Sequence, residues 1–322
     1  MIFLQNFLLL VLYEGICMVK KCSKCSKPAV TFIRYNGTHL CQDHFIDYVT
    51  RRVKKEVRHQ GKTPVNSRIG VAVSGGKDSL VTLHLLKEMF MKRPDVEVIA
   101  LTIDEGIKGY RDKSIPVVKR NCDLLGVDLH LVTFKEIIGA TMDEVCIKKP
   151  SQIGACSYCG VFRRFCLNTL AKKLKVNKLA TGHNLDDISQ SILMNFVNAD
   201  MEKLARLGPH KKVQPGLIPR MMPLRMIPEK ENSLYAIVKG IEFHDAECPY
   251  AVEALRGTFK DILYTLEERN PGTRHSIVRS YDSMKDLLLQ LYPPATLNSC
   301  ESCGEPTTHS FCKACELQRS IK

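Results

Sequence analysis

Ser74-Gly75-Gly76-Lys77-Asp78-Ser79 is the stretch that decides the fold, because it joins a predicted strand to a predicted helix. Residues 69–73 are apolar, as a buried parallel strand requires, and leucines recur at helical spacing after the stretch. Glycines at such a turn accept unusual backbone dihedrals. The N–H groups of the turn, together with the positive end of the helix dipole, can surround an anion. The stretch therefore predicts a phosphate-binding loop.

This loop is not a Walker A motif, since it lacks the spacing G-x-x-x-x-G-K-[ST]. It resembles the PP-loop of the ATP-pyrophosphatases, which cleave ATP between the α and β phosphates and activate a substrate oxygen as its adenylate. A glycine-rich turn without catalytic meaning is the alternative, and the predicted strand and helix around the loop disfavour it. The resemblance implies that the phosphates of ATP are held by Ser74, Gly75, Gly76, Lys77, Asp78 and Ser79.

Strands and helices alternate from residue 68 onward, which predicts an α/β fold with a doubly wound parallel sheet. Further strands are expected at residues 96–103, 128–133 and 176–181, and a helix at residues 115–125 after the N-cap candidate Ser114. Ligands of open α/β sheets bind at the carboxyl ends of the strands. We therefore expect Ser74, Asp104 and Gly182 to converge on one crevice.

Two adjacent carboxylates, Asp186 and Asp187, open the helix that follows the strand at residues 176–181. The helix dipole accounts for one of them, because it favours acidic residues at the N-terminus. The pair also suits Mg²⁺, which takes oxygen ligands and bridges phosphates. With Asp78 as a third candidate, the sequence predicts a magnesium site beside the phosphate loop.

Most of the 14 cysteines fall in C-x-x-C pairs, which indicates metal ligation rather than disulfides in a chain of 322 residues. Thiol ligands imply a reducing compartment, so we expect a cytoplasmic protein. Each end of the chain carries four ligands in two pairs, as a closed structural Zn²⁺ site requires; a redox dithiol is the competing interpretation. The N-terminal ligands, around a predicted hairpin with its turn at Asn36-Gly37, are Cys22, Cys25, Cys41 and His44. The C-terminal ligands are Cys300, Cys303, Cys312 and Cys315.

A third pair, Cys156 and Cys159, has no second pair nearby and stands at the start of a predicted helix. Cys248 is the isolated cysteine in the core region that can join it. Three cysteines can hold three irons of a [4Fe-4S] cluster and leave the fourth iron open to substrate or sulfide. A cysteine pair that passes a persulfide is the alternative. Spacing alone leaves both interpretations open.

The formal net charge of +13 suggests a polyanionic partner, most simply nucleic acid. Residues 47–62 form a basic stretch that is predicted to be an exposed helix, either solvated or facing phosphates. A second basic segment is predicted to face RNA, with a plain irregular loop as the alternative. Its cationic side chains are Lys203, His210, Lys211, Lys212, Arg220 and Arg225.

Residues 1–17 are apolar but lack the positive n-region and the cleavage site of a signal peptide. We interpret them as an upstream extension, with Met18 as the first residue, and we expect no membrane span. The predicted organisation is an extension at residues 1–17, a zinc finger at 18–46, a basic helical linker at 47–66, a PP-loop domain at 67–296 and a zinc ribbon at 297–322.

Five stretches in this order resemble the tRNA 2-thiouridine synthetases, a family that includes TtuA and the cytoplasmic tRNA 2-thiolation proteins. They are Ser74 to Ser79, Asp104 to Arg111, Cys156 to Gly160, Gly182 to Asp187 and Cys248 to Tyr250. The resemblance implies an ATP-dependent enzyme that adenylates the C2 oxygen of a tRNA uridine and replaces it with sulfur. It also implies a ubiquitin-like thiocarboxylate protein as sulfur donor and a homodimer.

The resemblance assigns a role to each group of residues. Asp104 and Gly182 border the adenosine, Asp187 handles magnesium or a proton, and the cluster cysteines are Cys156, Cys159 and Cys248. Arg163 replaces a lysine of the TtuA branch, and because arginine stays charged it is expected to orient phosphate or an oxyanion. This difference favours wobble uridine 34 over uridine 54. Synthesis of tRNA 2-thiocytidine is a further alternative.

Overall fold

The computed structural model describes residues 20–150, 152–209, 213–250 and 256–321. They belong to two compact units, the first reaching to Tyr48 and the second beginning at Val49. The expected extension at residues 1–17 lies outside the described residues, and so do His210, Lys211 and Lys212 of the basic segment.

The first unit is built around an antiparallel hairpin of strands β1 (Thr31–Ile33) and β2 (Thr38–Leu40). Gly37 turns the chain with a φ of 69°, a conformation that glycine adopts without strain. The N–H of Ser23 donates to the carbonyl of His39 over 2.7 Å, which fastens the first cysteine knuckle to the hairpin. Helix α1 (Gln42–His59) begins directly after Cys41. The predicted hairpin is confirmed.

The second unit contains a five-stranded sheet in the order β5-β4-β3-β6-β7, in which every neighbouring pair is parallel. The strands are β3 (Ser67–Ala72), β4 (Val96–Asp104), β5 (Leu129–Thr133), β6 (Lys178–Ala180) and β7 (Arg220–Met221). Because β4 lies on one side of β3 and β6 on the other, the strand order reverses at β3. The carboxyl end of β3 is therefore the switch point at which open sheets bind ligands. The predicted doubly wound parallel sheet is confirmed.

Helices flank the sheet, and two short strands precede the last helix. The helices of the second unit after α1 are α2 (Lys77–Phe90), α3 (Arg111–Leu125), α4 (Phe134–Ile138), α5 (Met142–Lys148), α6 (Ala155–Lys173), α7 (Leu185–Val197), α8 (Met201–Ala205), α9 (Glu229–Val238), α10 (Arg256–Arg269), α11 (Thr273–Leu291) and α12 (Lys313–Arg319). The C-terminal ribbon, residues 298–321, contains the antiparallel strands β8 (Asn298–Ser299) and β9 (Pro306–Thr307) and helix α12. The leucines of α2 that follow the phosphate loop are buried, as their spacing predicts.

Two predicted helices differ in the structure. Helix α3 begins at Arg111, so Ser114 lies inside its first turns and is not the N-cap; buried hydrogen bonds of the Arg111 side chain fix the earlier start. The basic stretch at residues 47–62 is not simply exposed, because Val49, Val53 and Val57 of α1 are buried. Only one face of this helix carries solvated charge.

The C-terminal ribbon packs against α6. Cys300, Cys312 and Leu317 belong to the same apolar cluster as Phe162 of α6. The hydroxyls of Tyr158 and Ser320 are 2.8 Å apart, and Lys172 forms a 2.6 Å ion pair with Glu305. The helix that carries two of the candidate cluster cysteines is thus held by the ribbon along much of its length.

Among the described residues no helix is both long and apolar enough to cross a membrane.

His275 of α11 is buried, and its Nε2 lies 2.7 Å from Nη2 of Arg52. Burial and the positive charge of Arg52 lower the pKa of His275 to about 4. In the unfolded chain histidine takes up its proton near pH 6.5. The unfolded state therefore binds more protons than the native state below that pH, and the free energy of unfolding falls as the pH is lowered toward 4.

We predict that His275→Gln removes this part of the pH dependence, since glutamine does not titrate but can still accept a hydrogen bond from Arg52. Urea unfolding at pH 7 and pH 4.5 should show a loss of stability that is smaller in the variant by about 2 kcal/mol. An equal loss in both proteins would contradict the prediction.

Candidate active site

The phosphate loop follows β3 and is held by its own serines. Gly75 has a φ of +93°, and a Cβ there would lie 2.8 Å from the carbonyl oxygen of Ser114. The hydroxyl of Ser79 accepts the N–H of Ser74 over 3.2 Å and donates to the carbonyl of Gly76 over 2.8 Å. These contacts fix a turn directly at the N-terminus of α2, where backbone N–H groups and the helix dipole attract an anion.

Gly182 brings the end of β6 against this loop. A Cβ at Gly182 would lie 2.8 Å from the backbone carbon of Asp78 and from the nitrogen of Ser79. Asp104 ends β4, the other neighbour of β3, and its Oδ1 accepts the N–H of Gly106 over 2.8 Å. The three predicted crevice positions therefore follow three adjacent strands at one edge of the sheet.

Four carboxylates line a cavity of about 230 Å³ beside the loop: Asp78, Asp186, Asp187 and Glu229. Asp187 and Asn184 cap helix α7 reciprocally, with the N–H of Asn184 donating to Oδ2 of Asp187 over 3.0 Å. Asp186 is paired with Arg274 and accepts the N–H of Glu229 over 2.8 Å. Asp186 is thus engaged by the protein, whereas Asp187 has one oxygen in the cap and is among the residues that line the cavity.

Asp78 has the environment of a cation ligand. Burial raises its pKa to about 6, with Lys77 opposing and Asp187 and Glu229 adding to the increase. Within the described part of the chain its buried Oδ1 has no hydrogen-bond partner. Lys77 Nζ lies 3.4 Å from the other oxygen and 2.8 Å from Glu229. An unpaired carboxylate oxygen among further carboxylates fits the donor set that Mg²⁺ prefers.

The third cysteine group lies at the N-terminus of α6. Cys156 and Cys159 occupy the first turns of this helix, and Sγ of Cys156 donates to the carbonyl of Tyr250 over 3.5 Å. Burial raises the pKa of the Cys159 thiol, and the nearby Cys248 adds to the increase. Cys156 is exposed, and the other two are partly exposed. The structure thus places Cys156 beside the segment that carries Cys248, at an accessible site near the start of α6.

Two other groups are closed. Among the described residues, Cys22, Cys25, Cys41 and His44 form one set whose donor atoms all lie within 4.8 Å, and Cys300, Cys303, Cys312 and Cys315 form the second. Separations such as 3.7 Å between Cys25 and Cys41 suit a tetrahedral zinc ion, whose thiolate sulfurs lie about 3.8 Å apart. Among the described residues, Cys156, Cys159 and Cys248 do not form such a set.

Arg163 faces the cysteines. Its Nη2 donates to Sγ of Cys159 over 3.1 Å, and its Nε forms a 2.8 Å ion pair with Oε1 of Glu105. The predicted role of Arg163 in orienting phosphate or an oxyanion stays a prediction.

Sequence reasoning gave no role to Glu105 and Arg111. Arg111 is buried, donates to the carbonyls of Ser74 and Ile103 over 2.7 Å each, and forms a 2.9 Å ion pair with Glu105. The available signal was a carboxylate and an arginine within seven residues after a buried strand. Charged side chains in loops are usually solvated, so this pattern does not predict burial.

The predicted RNA-facing segment is partly wrong. Arg225 is 2% exposed and paired with Asp282, so it faces the interior. Arg220 donates to the side chain of Asn168. Lys203 is exposed and forms an ion pair with Asp200.

Comparisons with known proteins agree with this geometry. A model of the PP-loop domain matches residues 48–257, and a model of the N-terminal LIM domain of the 2-thiouridine synthetase TtuA matches residues 21–46. The chain is 42% identical to the tRNA 2-thiolation protein NcsA of Haloferax volcanii, over 94% of this chain and 99% of that protein. It is 36% identical to the tRNA-5-methyluridine(54) 2-sulfurtransferase of Pyrococcus horikoshii, over 92% and 93%.

A solved structure is similar throughout. It is the U34-tRNA thiolase NcsA from Methanococcus maripaludis with its [4Fe-4S] cluster, with a TM-score of 0.81, 34% identity and coverage of 95% of this chain and 97% of that one. The parallel sheet and the loop after β3 make the protein described here a PP-loop ATP-binding protein. The chain belongs to the TtuA/NcsA family of tRNA 2-thiolation proteins, which are PP-loop sulfurtransferases.

We predict that Gly182→Ala raises the dissociation constant of ATP at least about tenfold, because the added Cβ meets backbone atoms that no side-chain rotation can clear. Calorimetric titration with ATP measures the change. Gly240→Ala is the control: its φ is +65°, and no atom lies within 4 Å of the added Cβ. The control should lose about 1 kcal/mol of stability and bind ATP as the wild type does. Equal ATP affinities of both variants would refute the prediction.

Proposed function

We propose that this protein adenylates the C2 oxygen of wobble uridine 34 in tRNA and replaces that oxygen with sulfur. The observation that carries the proposal is the placement of two sites at one edge of the sheet. Arg111 joins the phosphate loop to Glu105, and Arg163 joins Glu105 to Cys159. ATP activates the oxygen of the C2 carbonyl group and sulfur attacks its carbon, so the two sites have to be neighbours.

In the first half-reaction the C2 oxygen attacks the α-phosphate of ATP, and pyrophosphate leaves. The loop amides and the N-terminus of α2 would hold the phosphates, with Asp104 and Gly182 bordering the adenosine. Lys77, now paired with Glu229, would turn to the departing pyrophosphate. Asp78 and Asp187 would hold Mg²⁺, whose charge stabilises the leaving group.

In the second half-reaction sulfide attacks C2, the C2–O bond breaks, and the oxygen leaves as part of AMP. One uridine, one ATP and one sulfide thus give 2-thiouridine, AMP and pyrophosphate, without net transfer of electrons. Cys156, Cys159 and Cys248 would hold a [4Fe-4S] cluster, which when bound leaves one iron without a protein ligand for the incoming sulfur. Arg163 and the positive end of α6 favour negative charge on sulfur here.

The choice of uridine 34 is supported by Arg163 and by the relatives. A lysine is the residue expected here in the TtuA branch, and both NcsA relatives described above carry names of tRNA thiolation proteins, one of them specific for U34. The Pyrococcus horikoshii relative acts on uridine 54 by its name, so thiolation at position 54 is the second candidate.

Partners and metals complete the proposal. The substrate is tRNA, the sulfur donor is a ubiquitin-like protein with a C-terminal thiocarboxylate that water hydrolyses to a carboxylate and sulfide, and the enzyme is a homodimer. Both expectations about donor and oligomeric state come from the family resemblance. Zinc would fill the two closed clusters, whose donor spacings suit a tetrahedral ion.

We predict that the wild-type gene restores 2-thiouridine at position 34 in a host strain that lacks this modification, and that Cys248→Ser does not. The variant should bind ATP with unchanged affinity, since Cys248 lies outside the predicted phosphate-binding residues 74–79. Mass spectrometry of tRNA nucleosides and mapping of the modified position are the measurements. Cys122→Ala, at a buried cysteine on α3, should retain thiolation.

Restoration at position 54 alone would establish the second candidate, and restoration at neither position would reject both. Anaerobic reconstitution adds a separate readout, because about four irons per chain support the cluster and none supports a persulfide relay.

We predict that Cys312→Ser lowers the zinc content by one equivalent per chain, because three ligands no longer close a structural site. Because the ribbon packs against α6, the iron content after reconstitution should also fall. Metal analysis of the purified protein measures both. Lys313→Ala, which changes an exposed ion pair beside the cluster, should leave both contents unchanged. Normal iron content in Cys312→Ser would show that α6 holds its position without the ribbon.

A further inference from the structure

Glu105 lies between two arginines and contacts each with a different carboxylate oxygen. Oε2 is 2.9 Å from Nε of Arg111, and Oε1 is 2.8 Å from Nε of Arg163. The side chain of Glu105 is 5% exposed and that of Arg111 is 2% exposed, whereas that of Arg163 is 49% exposed. One carboxylate thus joins a buried cation to a cation that reaches the open site.

Arg111, at one end of this arrangement, is hydrogen-bonded to the first residue of the phosphate loop. Nη1 of Arg111 donates to the carbonyl of Ser74 over 2.7 Å and to the hydroxyl of Ser114 over 2.9 Å. Ser114 is the residue whose carbonyl limits the space at Gly75. The position of the Arg111 guanidinium therefore determines where the loop begins.

The Arg163 end directs a donor at a candidate cluster ligand. Nε of Arg163 is occupied by Glu105, and Nη2 is presented to Sγ of Cys159 at 3.1 Å. The guanidinium is planar and rigid, so fixing Nε also fixes the direction of the Nη2 donor. Hydrogen bonds to ligand sulfurs tune an iron–sulfur centre and stabilise it.

The backbone around Glu105 is itself fixed. Its carbonyl accepts the N–H of Met142 over 2.7 Å. The next residue, Gly106, has a φ of +69° and packs so closely that an added Cβ would lie 2.7 Å from the side chain of Thr141. Glu105 therefore has little freedom to adapt to either arginine, and the arginines adapt to it.

We infer that Glu105 is a positioning residue for both half-reactions: it holds Arg111 under the phosphate loop and Arg163 against Cys159. The inference rests on the proposed function, because it takes the loop at residues 74–79 as the ATP site and Cys159 as a cluster ligand. Glu105 thereby fixes the position of the phosphate loop relative to that of Cys159.

Glu105→Gln and Glu105→Ala separate the two contacts. An amide has one acceptor oxygen, and we expect it to stay on Arg111, because leaving a buried guanidinium unpaired costs more than releasing a half-exposed one. The amide N–H₂ then faces Arg163, donor against donor, and releases it. Glu105→Gln should therefore behave like Arg163→Gln. Glu105→Ala releases both arginines.

The experiment measures iron loss from the reconstituted protein to a chelator and ATP binding by the cluster-free protein. Glu105→Gln and Arg163→Gln should each speed iron loss about tenfold, and the double variant should be no faster than either single one, because both changes remove the same contact. ATP affinity should stay within about twofold in these three variants. In Glu105→Ala the dissociation constant of ATP should rise about tenfold as well.

Glu97→Gln is the matched control, because Glu97 lies on the same strand β4 and forms an ion pair with Arg68 at the opposite end. It should match the wild type in both measurements. Multiplying effects in the double variant, or wild-type iron loss in Glu105→Gln, would overturn the inference. A wild-type protein that binds neither iron nor ATP would instead contradict the proposed function.

Discussion

The buried guanidinium of Arg111 holds together the ends of the two central strands. It donates to the carbonyls of Ser74 and Ile103, the residues after β3 and near the end of β4. A guanidinium at 2% exposure is stable only with a counter-charge, because an unpaired buried ion costs several kcal/mol. Glu105 supplies that charge. An ion pair of this kind adds little net stability over an apolar pair, so its value lies in fixing geometry. The ion pair of Arg111 and Glu105 therefore determines the position of the phosphate loop relative to the cysteine site.

The parts of the site that depend on local pattern could be predicted from the sequence. The loop at residues 74–79, the hairpin at Asn36-Gly37 and the parallel sheet all follow from glycine positions and apolar spacing, and the structure contains each of them. The two closed clusters follow from C-x-x-C and C-x-x-H spacing for the same reason, since a knuckle of four residues fixes the geometry of both its ligands.

The charged residues could not be predicted in this way, because their partners are distant in sequence. Arg225 pairs with Asp282 and is buried, and Arg52 pairs with Glu231 and is only partly exposed, although both stand in basic stretches. Arg111 lies at the start of α3 for a similar reason: its partners at Ser74 and Ile103 hold the helix four residues ahead of the predicted start. A basic stretch in the sequence predicts solvent-exposed side chains only where no acidic residue from a distant part of the chain pairs with them.

The three cysteine groups differ in the spacing of their residues and in how the surrounding chain packs around them. Each of the two closed groups stands beside a hairpin with strands of only two or three residues. An isolated hairpin of this length is not stable in water. Cys156 and Cys159 instead stand on a long helix that needs no metal to form, with one face open. That helix is packed against the C-terminal ribbon through Tyr158, Lys172 and the apolar cluster. The closed group of cysteines at residues 300–315 thereby fixes the helix that carries Cys156 and Cys159, so these two residues can remain accessible without losing their position.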